Sequence, residues 1–389
     1  MRILFLSRWF PHPPSNGSKL RIYNLIKGLS KNHEVTLLSF TESIVDTAEM
    51  KKFCPEVKVV PWTDFDPTRW KARLGIFRLE PRSIVDTFSS EMAEAITETL
   101  RADKYDLVIA SQLQMAAYGP RFRHIPSIFE EFEIGLFHDR AFSSDGTKLR
   151  LRYALTWFKL RLYLSRILNT FRACTVASKR EAELLQANFP AYRKPISVIP
   201  NGVDLDEYRN FAPPKKDNTL VFTGSFRYRA NYEAMLWFVE KVFPLILQHL
   251  PDTRLFITGD HQNLPLPSQK NITLTGHVDN LKTLVASANV SIAPLLSGGG
   301  TRLKILEAMA LGTPVVATSK GAEGLEVIAG EHLLLADTPA DFAECVIRLL
   351  ADGQSNRGLA KNAFQLVQEK YNWDTMILDY LRLIEIVAR

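Results

Sequence analysis

The residues with the most chemistry in this chain lie together in SGGGTRLKILEAMALGTPVVAT, which begins at Ser297. Gly298, Gly299 and Gly300 let a backbone approach a ligand closely, and a helix starting behind them offers free N–H groups and the positive end of its dipole. Thr301 is placed to cap that helix, and Gly312 with Pro314 to end it. Arg302 and Lys304 fall in its first turn, where the dipole disfavours cations, so an anion such as a phosphate is the expected neighbour. A flexible turn with a solvated basic face is the competing reading. Glu307 lies about 60° round the helix from Lys304 and roughly 7 Å along the axis from the helix start. A carboxylate there can accept both hydroxyl protons of a ribose, or pair with Lys304 on the surface at i,i+3 spacing.

Short apolar runs alternating with helical stretches must position these residues. Strands are expected at 2–7, 34–40, 106–111, 127–132, 174–178 and 196–200, and again at 219–224, 254–259, 271–276, 290–295, 314–318 and 332–337. Most are continuous rather than alternating, as in parallel strands covered on both faces, so the fold class is doubly wound α/β, present twice. The Pro, Asn-Gly and Pro-Pro signals of residues 199–218 mark the break. The domains are then 1–201, 202–370 and a terminal helix 371–389, whose apolar spacing at Met376, Leu381, Ile384 and Val387 lets it pack on either one. Two such domains facing each other put the carboxyl ends of both sheets around one cleft, where ligands of open α/β sheets bind.

At 389 residues the chain exceeds one ordinary core, and 46% apolar content is normal for a soluble protein. It has no run of 18 apolar residues, and the opening ILFL reads as a buried strand rather than a secretion signal. Cys54, Cys174 and Cys345 have no disulfide or metal spacing, which points to a reducing, cytoplasmic setting. The net charge of +6 favours anionic partners, phosphorylated ligands or an acidic membrane surface alike. Residues 147–172 carry seven basic residues and no acid. With Leu151, Leu155, Phe158 and Leu162 at helical spacing, this stretch is either a helix docked on the core with a solvated basic face or a contact for anionic lipid. Arg69, Lys71, Arg73, Arg78 and Arg82 add charge to the same domain, and no nucleic-acid module accompanies it. The Asp64/Asp66 and Asp204/Asp206 pairs sit in a turn and in the linker, so no metal site is expected.

The stretch GGGTRLKILEAMALGTPVVATSKGAEGLEV resembles the donor-site signature of the retaining family-4 glycosyltransferases. FPHPPSNGSKLRIYNLIKGLSKNHEVTLLSF, VIPNGVD and YNWDTM are similar to that family's first strand–loop–helix–strand, linker and closing helix. The resemblance covers essentially the whole chain and implies the GT-B architecture: two Rossmann-like domains facing across a cleft, with a C-terminal helix crossing back onto the N-terminal, acceptor-binding domain. It implies a retaining, metal-independent transferase with no cofactor, moving a sugar from a nucleotide-diphosphate sugar to a glycan or lipid-linked acceptor in polysaccharide or glycoconjugate synthesis. A peripheral position at the inner face of the membrane fits that role. Glu307 matches the second glutamate of the family's E-x7-E pattern, which holds the donor ribose, while the position of the first is Gly299. Ser225 and Asn231 stand where many members have an Arg and a Lys, with Arg227 and Arg229 near but out of register. Arg302 and Lys304 are then the diphosphate neutralisers, and Gly224 allows close approach. Gly17 matches the glycine that faces the diphosphate, Arg21 lies one turn further on, and His277 and Val278 flank the base, although a solvated loop histidine is an equal reading of His277. Glu130, Glu131 and His138 follow a strand end and are candidate bases. The alternatives are a GT-B sugar-nucleotide epimerase and a non-catalytic nucleotide-sugar-binding protein.

Overall fold

The apolar runs assemble into two parallel sheets in the computed structural model, which describes residues 1–143, 147–209, 211, 213–267, 270–298, 300–351 and 353–389. The first sheet takes Arg2–Ser7 (β1), Glu34–Thr41 (β2), Glu56–Pro61 (β3), Leu107–Ser111 (β4), Ser127–Glu130 (β5), Ala173–Val176 (β6) and Ile196–Val198 (β7). Their order is β3-β2-β1-β4-β5-β6-β7. The second takes Thr219–Thr223 (β8), Arg254–Thr258 (β9), Ile272–Gly276 (β10), Val290–Ala293 (β11), Val315–Ala317 (β12) and Leu334–Leu335 (β13). Its order is β10-β9-β8-β11-β12-β13, and the strand pairs of both sheets are parallel. In each sheet the chain runs outward, returns past its first strand and continues on the other side. That creates a switch point between β1 and β4 and another between β8 and β11, where connections diverge and ligands have room to bind.

The central strands β4, β5, β8 and β11 are buried along their whole length because helices cover both faces. The sequence reading missed β3. Its EVKVVP alternates, ends in proline and lies at the edge of the sheet, where one face meets water and no apolar run is needed. Other runs are shortened: the stretch 127–132 stops pairing at Glu130, and 332–337 keeps only Leu334–Leu335.

The chain divides into two compact units, Met1–Pro200 with Met376–Arg389, and Asn201–Thr375. The terminal helix Trp373–Ala388 gives the first unit Met376, Tyr380, Leu383, Ile384 and Val387, all buried. The helix Thr147–Ile167 corrects the sequence pattern. Trp157, Leu160, Leu164 and Ile167 face the core, whereas Leu151, Leu155, Phe158 and Leu162, the residues chosen by spacing, are exposed. No helix among the described residues is long and apolar enough to cross a membrane.

A buried ion pair ties the first unit together, and it also corrects the placement of Arg21. This residue has no solvent exposure. Its Nε donates to Glu130 Oε1 at 2.6 Å and its Nη1 to the carbonyl of Ile199 at 2.7 Å, while Ser111 Oγ donates to Glu130 Oε2 at 2.7 Å. Arg21 thus links its own helix to the end of β5 and to the last residues before the second unit. It does not face a ligand, and Glu130 is its counter-ion rather than a base. Removing one member of such a pair leaves an uncompensated charge in the core, at a cost of about 3–5 kcal/mol. Arg21→Met should lower unfolding stability by that amount in urea titration. Arg21→Met combined with Glu130→Gln should recover part of the loss, because no charge then remains buried.

Candidate functional site

Two loops meet at the switch point of the second sheet. The first, Gly224 to Tyr228, leaves β8 and enters the helix Arg229–Trp237. Gly224 has φ +152°, a backbone conformation that other residues rarely adopt, and a Cβ on it would displace the side-chain ends of Asn231 (Nδ2 at 2.7 Å) and Lys304 (Nζ at 2.9 Å). The second loop leaves β11 and carries Ser297, Gly298 and Gly300 into the helix Leu303–Ala310; Gly299 lies outside the described residues. Gly298, at φ +98°, packs under Tyr228, whose hydroxyl would be 2.1 Å from an added Cβ. Positive φ at these two positions favours glycine where the loops meet.

The helix begins one residue later than the sequence suggests. Arg302, not Thr301, holds the cap position, with no side-chain hydrogen bond to the first turn. The arginine turns inward: it is 4% exposed, and its Nη2 donates to the carbonyls of Gly298 at 2.9 Å and Lys320 at 3.1 Å. Arg302 fixes the glycine loop from behind. Lys304 comes forward, its Nζ donating to Asn231 Oδ1 at 2.8 Å and standing 4.0 Å over the ring of Phe222. Asn231 Nδ2 in turn donates to the carbonyl of Ser225 at 2.8 Å, so one amide joins the first loop to the lysine. Burial, with Arg302 nearby, pushes the Lys304 amine down to about 7, and Glu307 opposes the shift.

Glu307 is half-buried and accepts a hydrogen bond from Tyr208 Oη at 3.3 Å. Burial holds its carboxyl above the usual carboxylate range, against the Tyr208 bond and the charges of Lys282 and Lys304. Tyr208 belongs to the short turn Leu205–Tyr208 and lies under Lys282, whose Nζ is 4.4 Å from the ring centroid and 2.9 Å from Glu207. Glu307 is thus no simple surface partner of Lys304. No sequence signal marks Tyr208; Asn231 was visible only as a departure from the family pattern.

The other expected residues scatter more widely. Ser225 Oγ donates to the carbonyl of Asp260, and the exposed Arg227 pairs with Asp260 at 2.8 Å. Gly300, at φ +81°, is exposed, and Thr301 is half-buried. His277 stands in water 3.9 Å from Asp279, while Val278 beside it is half-buried. In the first unit Gly17 starts the helix Gly17–Leu29, capped by Asn16. His138 packs against Phe142 and Trp157, with its Nδ1 3.4 Å from Asp139. Among the described residues no group of three or more His, Cys, Asp or Glu is arranged to hold a metal.

Comparison with known proteins gives the family of each region. The model described as Glycosyltransferase Family 4 matches residues 15–207, and that described as Glycosyl transferases group 1 matches residues 217–352. The chain belongs to these glycosyltransferase families. A phosphatidyl-myo-inositol mannosyltransferase of Mycobacterium leprae is 30% identical over 204 residues, covering 49% of this chain and 53% of that protein. An uncharacterized glycosyltransferase of Methanocaldococcus jannaschii is 24% identical over 330 residues, 77% and 80% of the two chains. The chain spans about half the length of the curated relatives it matches at 30% identity. Its fold is that of solved GT-B proteins. Sucrose-phosphate synthase from Thermosynechococcus elongatus superposes with a TM-score of 0.71 at 19% identity, covering 99% of both chains. Anabaena HepE in complex with UDP-glucose does so with a TM-score of 0.65 at 15% identity, covering 99% of this chain and 100% of that one.

Lys304 makes a prediction that needs no ligand. Burial lowers its amine from the ordinary 10.5 to about 7 in the folded chain, so between those values the unfolded chain binds the extra proton. Stability contributed by this group therefore rises with pH from about 7 to about 10. Lys304→Met should abolish that rise. Unfolding midpoints at pH 6.5 and 9.5, compared between the two proteins, measure it. Parallel midpoints would mean that Lys304 keeps its charge in the fold.

Proposed function

We propose that this glycosyltransferase is a retaining, metal-independent enzyme that transfers a sugar from a nucleotide-diphosphate sugar to a glycan or lipid-linked acceptor. The observation that carries the reading is the Lys304 amine. It is half-buried, held by Asn231 and Phe222 between two loops that turn on positive-φ glycines, and burial holds the amine well below the usual lysine range. Such a group is costly unless an anion restores the proton, and a diphosphate does so. The glycine loop adds backbone N–H donors, and the positive charge grows more favourable as the leaving diphosphate develops. Glu307, one turn along the same helix, is placed for the ribose hydroxyls. The UDP-glucose bound by HepE, a protein of the same fold, supports the donor class. The phosphatidyl-myo-inositol acceptor in the name of the mycobacterial relative supports a lipid-linked acceptor.

Glu307→Ala removes hydrogen bonds to a charged acceptor, each worth about 1.5–3 kcal/mol, so affinity for the nucleoside diphosphate should fall at least tenfold. Lys304→Met should depress turnover more than ground-state binding, since the charge it meets peaks in the transition state. Titration calorimetry beside steady-state kinetics in excess chelator separates these effects. Activity lost with chelator and restored by manganese or magnesium would overturn the metal-free mechanism. Normal nucleotide binding by Glu307→Ala, with a much lower unfolding temperature, would make the glutamate a structural residue.

The acceptor side is proposed to meet an anionic membrane surface. Leu151, Leu155 and Phe158 are 73%, 55% and 58% exposed on a helix with Arg150, Arg152, Lys159 and Arg161. Lys159 Nζ binds the carbonyls of Gly75 and Ile76, joining that helix to a segment whose Trp70, Leu74 and Phe77 are also exposed among Lys71, Arg73 and Arg78. Apolar side chains amid cations suit the interface of an anionic bilayer. Each basic residue near such a surface contributes about 1 kcal/mol, screened by salt. Flotation with phosphatidylglycerol vesicles should show binding at low salt that weakens at high salt and falls further in Phe77→Ser combined with Phe158→Ser. Absence of low-salt binding would return the helix to a solvated face.

A further inference from the structure

The carboxylate of Glu307 is held by a group that its own helix does not supply. Lys304, one turn back on that helix, gives its Nζ to Asn231. The hydrogen bond to Glu307 Oε1 comes instead from Tyr208 Oη at 3.3 Å, 99 residues away in the chain. A carboxylate has two oxygens and about four lone-pair sites. One bond to Oε1 therefore leaves Oε2 and part of Oε1 open, and a pair of neighbouring hydroxyls needs acceptors of that kind.

The tyrosine is itself fixed. Its turn, Leu205–Tyr208, is closed by Asp204, whose Oδ1 accepts from the N–H of Asp206 at 3.2 Å. Val203 and Leu205 are buried, and the N–H of Val203 donates to the carbonyl of Tyr371 at 2.9 Å. The Tyr208 ring packs against the core that includes Val285, Ile305 and Leu306. Lys282 stands over the ring, 4.4 Å from its centroid, and donates to the carbonyl of Glu207 at 3.1 Å and to its carboxylate at 2.9 Å. That lysine opens the helix Leu281–Ser287, which follows the loop of His277 and Val278. Burial, and then Glu307, hold the Tyr208 phenol above its ordinary range, so the proton stays on the hydroxyl and is given to the carboxylate. In return the bond opposes the burial that raises the Glu307 carboxyl. A ring that only filled space would need no hydroxyl, since phenylalanine offers the same packing and the same face to Lys282.

We infer that Tyr208 is a positioning residue for ribose recognition, its hydroxyl turning the Glu307 carboxylate so that the open acceptor sites meet the 2′- and 3′-hydroxyls of the nucleotide together. This role rests on the donor reading of Glu307, and it makes nucleotide selection depend on a residue outside the helix. UDP, GDP and ADP, each beside its 2′,3′-dideoxy analogue, serve as probes in titration calorimetry with the full chain. The pair that binds tightest should favour the ribonucleotide by about tenfold. Tyr208→Phe should weaken that ribonucleotide about fivefold and leave its dideoxy analogue within twofold, because the lost hydroxyl acts through the ribose alone. Glu307→Ala should erase the difference between the pair, and adding Tyr208→Phe to it should cost nothing further. A structural prop would weaken both nucleotides alike; that result, or no loss for either, overturns the assignment while the donor site stands. Equal affinity of the parent for both members of the pair removes ribose recognition by Glu307, and the role of Tyr208 with it. Binding of none of the three diphosphates by the parent overturns the donor reading itself, and this role falls with it. If Tyr208→Phe does not fold, Lys282→Met, which keeps the tyrosine but removes its cation, must show a ribose-selective loss of about twofold; equal affinities in parent and variant would then overturn the assignment.

Discussion

A half-buried amine is the constraint on which the second unit's site depends. Lys304 keeps one hydrogen bond and one aromatic face, too little to hold a full charge, and its amine is depressed accordingly. Everything around it maintains that state. Gly224 and Gly298 permit the loops to close, Asn231 ties the amine to the first loop, and Arg302 holds the second from behind. An exposed lysine would bind an anion at least as readily in isolation, but in high dielectric the attraction would be weak. Burial raises the worth of the charge at the moment an anion supplies the reason for it.

The two sheets apply one geometric rule to different chemistry. Each switch point gathers strand ends whose connections leave in opposite directions, and so opens space without any special sequence. In the second unit glycines fill the turns, and the space suits an anion. In the first, the turns after β4 and β5 carry Gln112 and Glu131 in a conformation glycine would adopt more easily. Side chains stand there against the backbone preference.

Much of the fold was legible because parallel strands buried on both faces must be apolar throughout, a pattern that β4, β8 and β11 show plainly. The edge strand β3 was not, since half of it needs no burial. The glycine loop and Glu307 were legible from residue type and spacing. The roles of the arginines were not. Arg21, one turn into its helix, and Arg302, at the cap of its own, both stand near strand ends, where a cation looks like a ligand contact. Both turn inward, Arg21 to Glu130 and Arg302 to two carbonyls. Spacing gives the azimuth of a side chain on its helix, but not whether a buried acceptor lies within its reach.

The helix Thr147–Ile167 shows the same limit from the apolar side. Its sequence offers two sets of apolar residues at helical spacing, and the set chosen from sequence is the exposed one. Trp157, Leu160 and Leu164 take the core face because they can pack beneath Phe132 and its neighbours; Leu151, Leu155 and Phe158 are left among arginines. Periodicity identifies an amphipathic helix when one stripe is apolar and the rest polar. When apolar residues encircle a helix and the charges are all of one sign, periodicity loses its meaning. The surplus apolar stripe, set among cations, is the observation behind the proposed contact with an anionic surface.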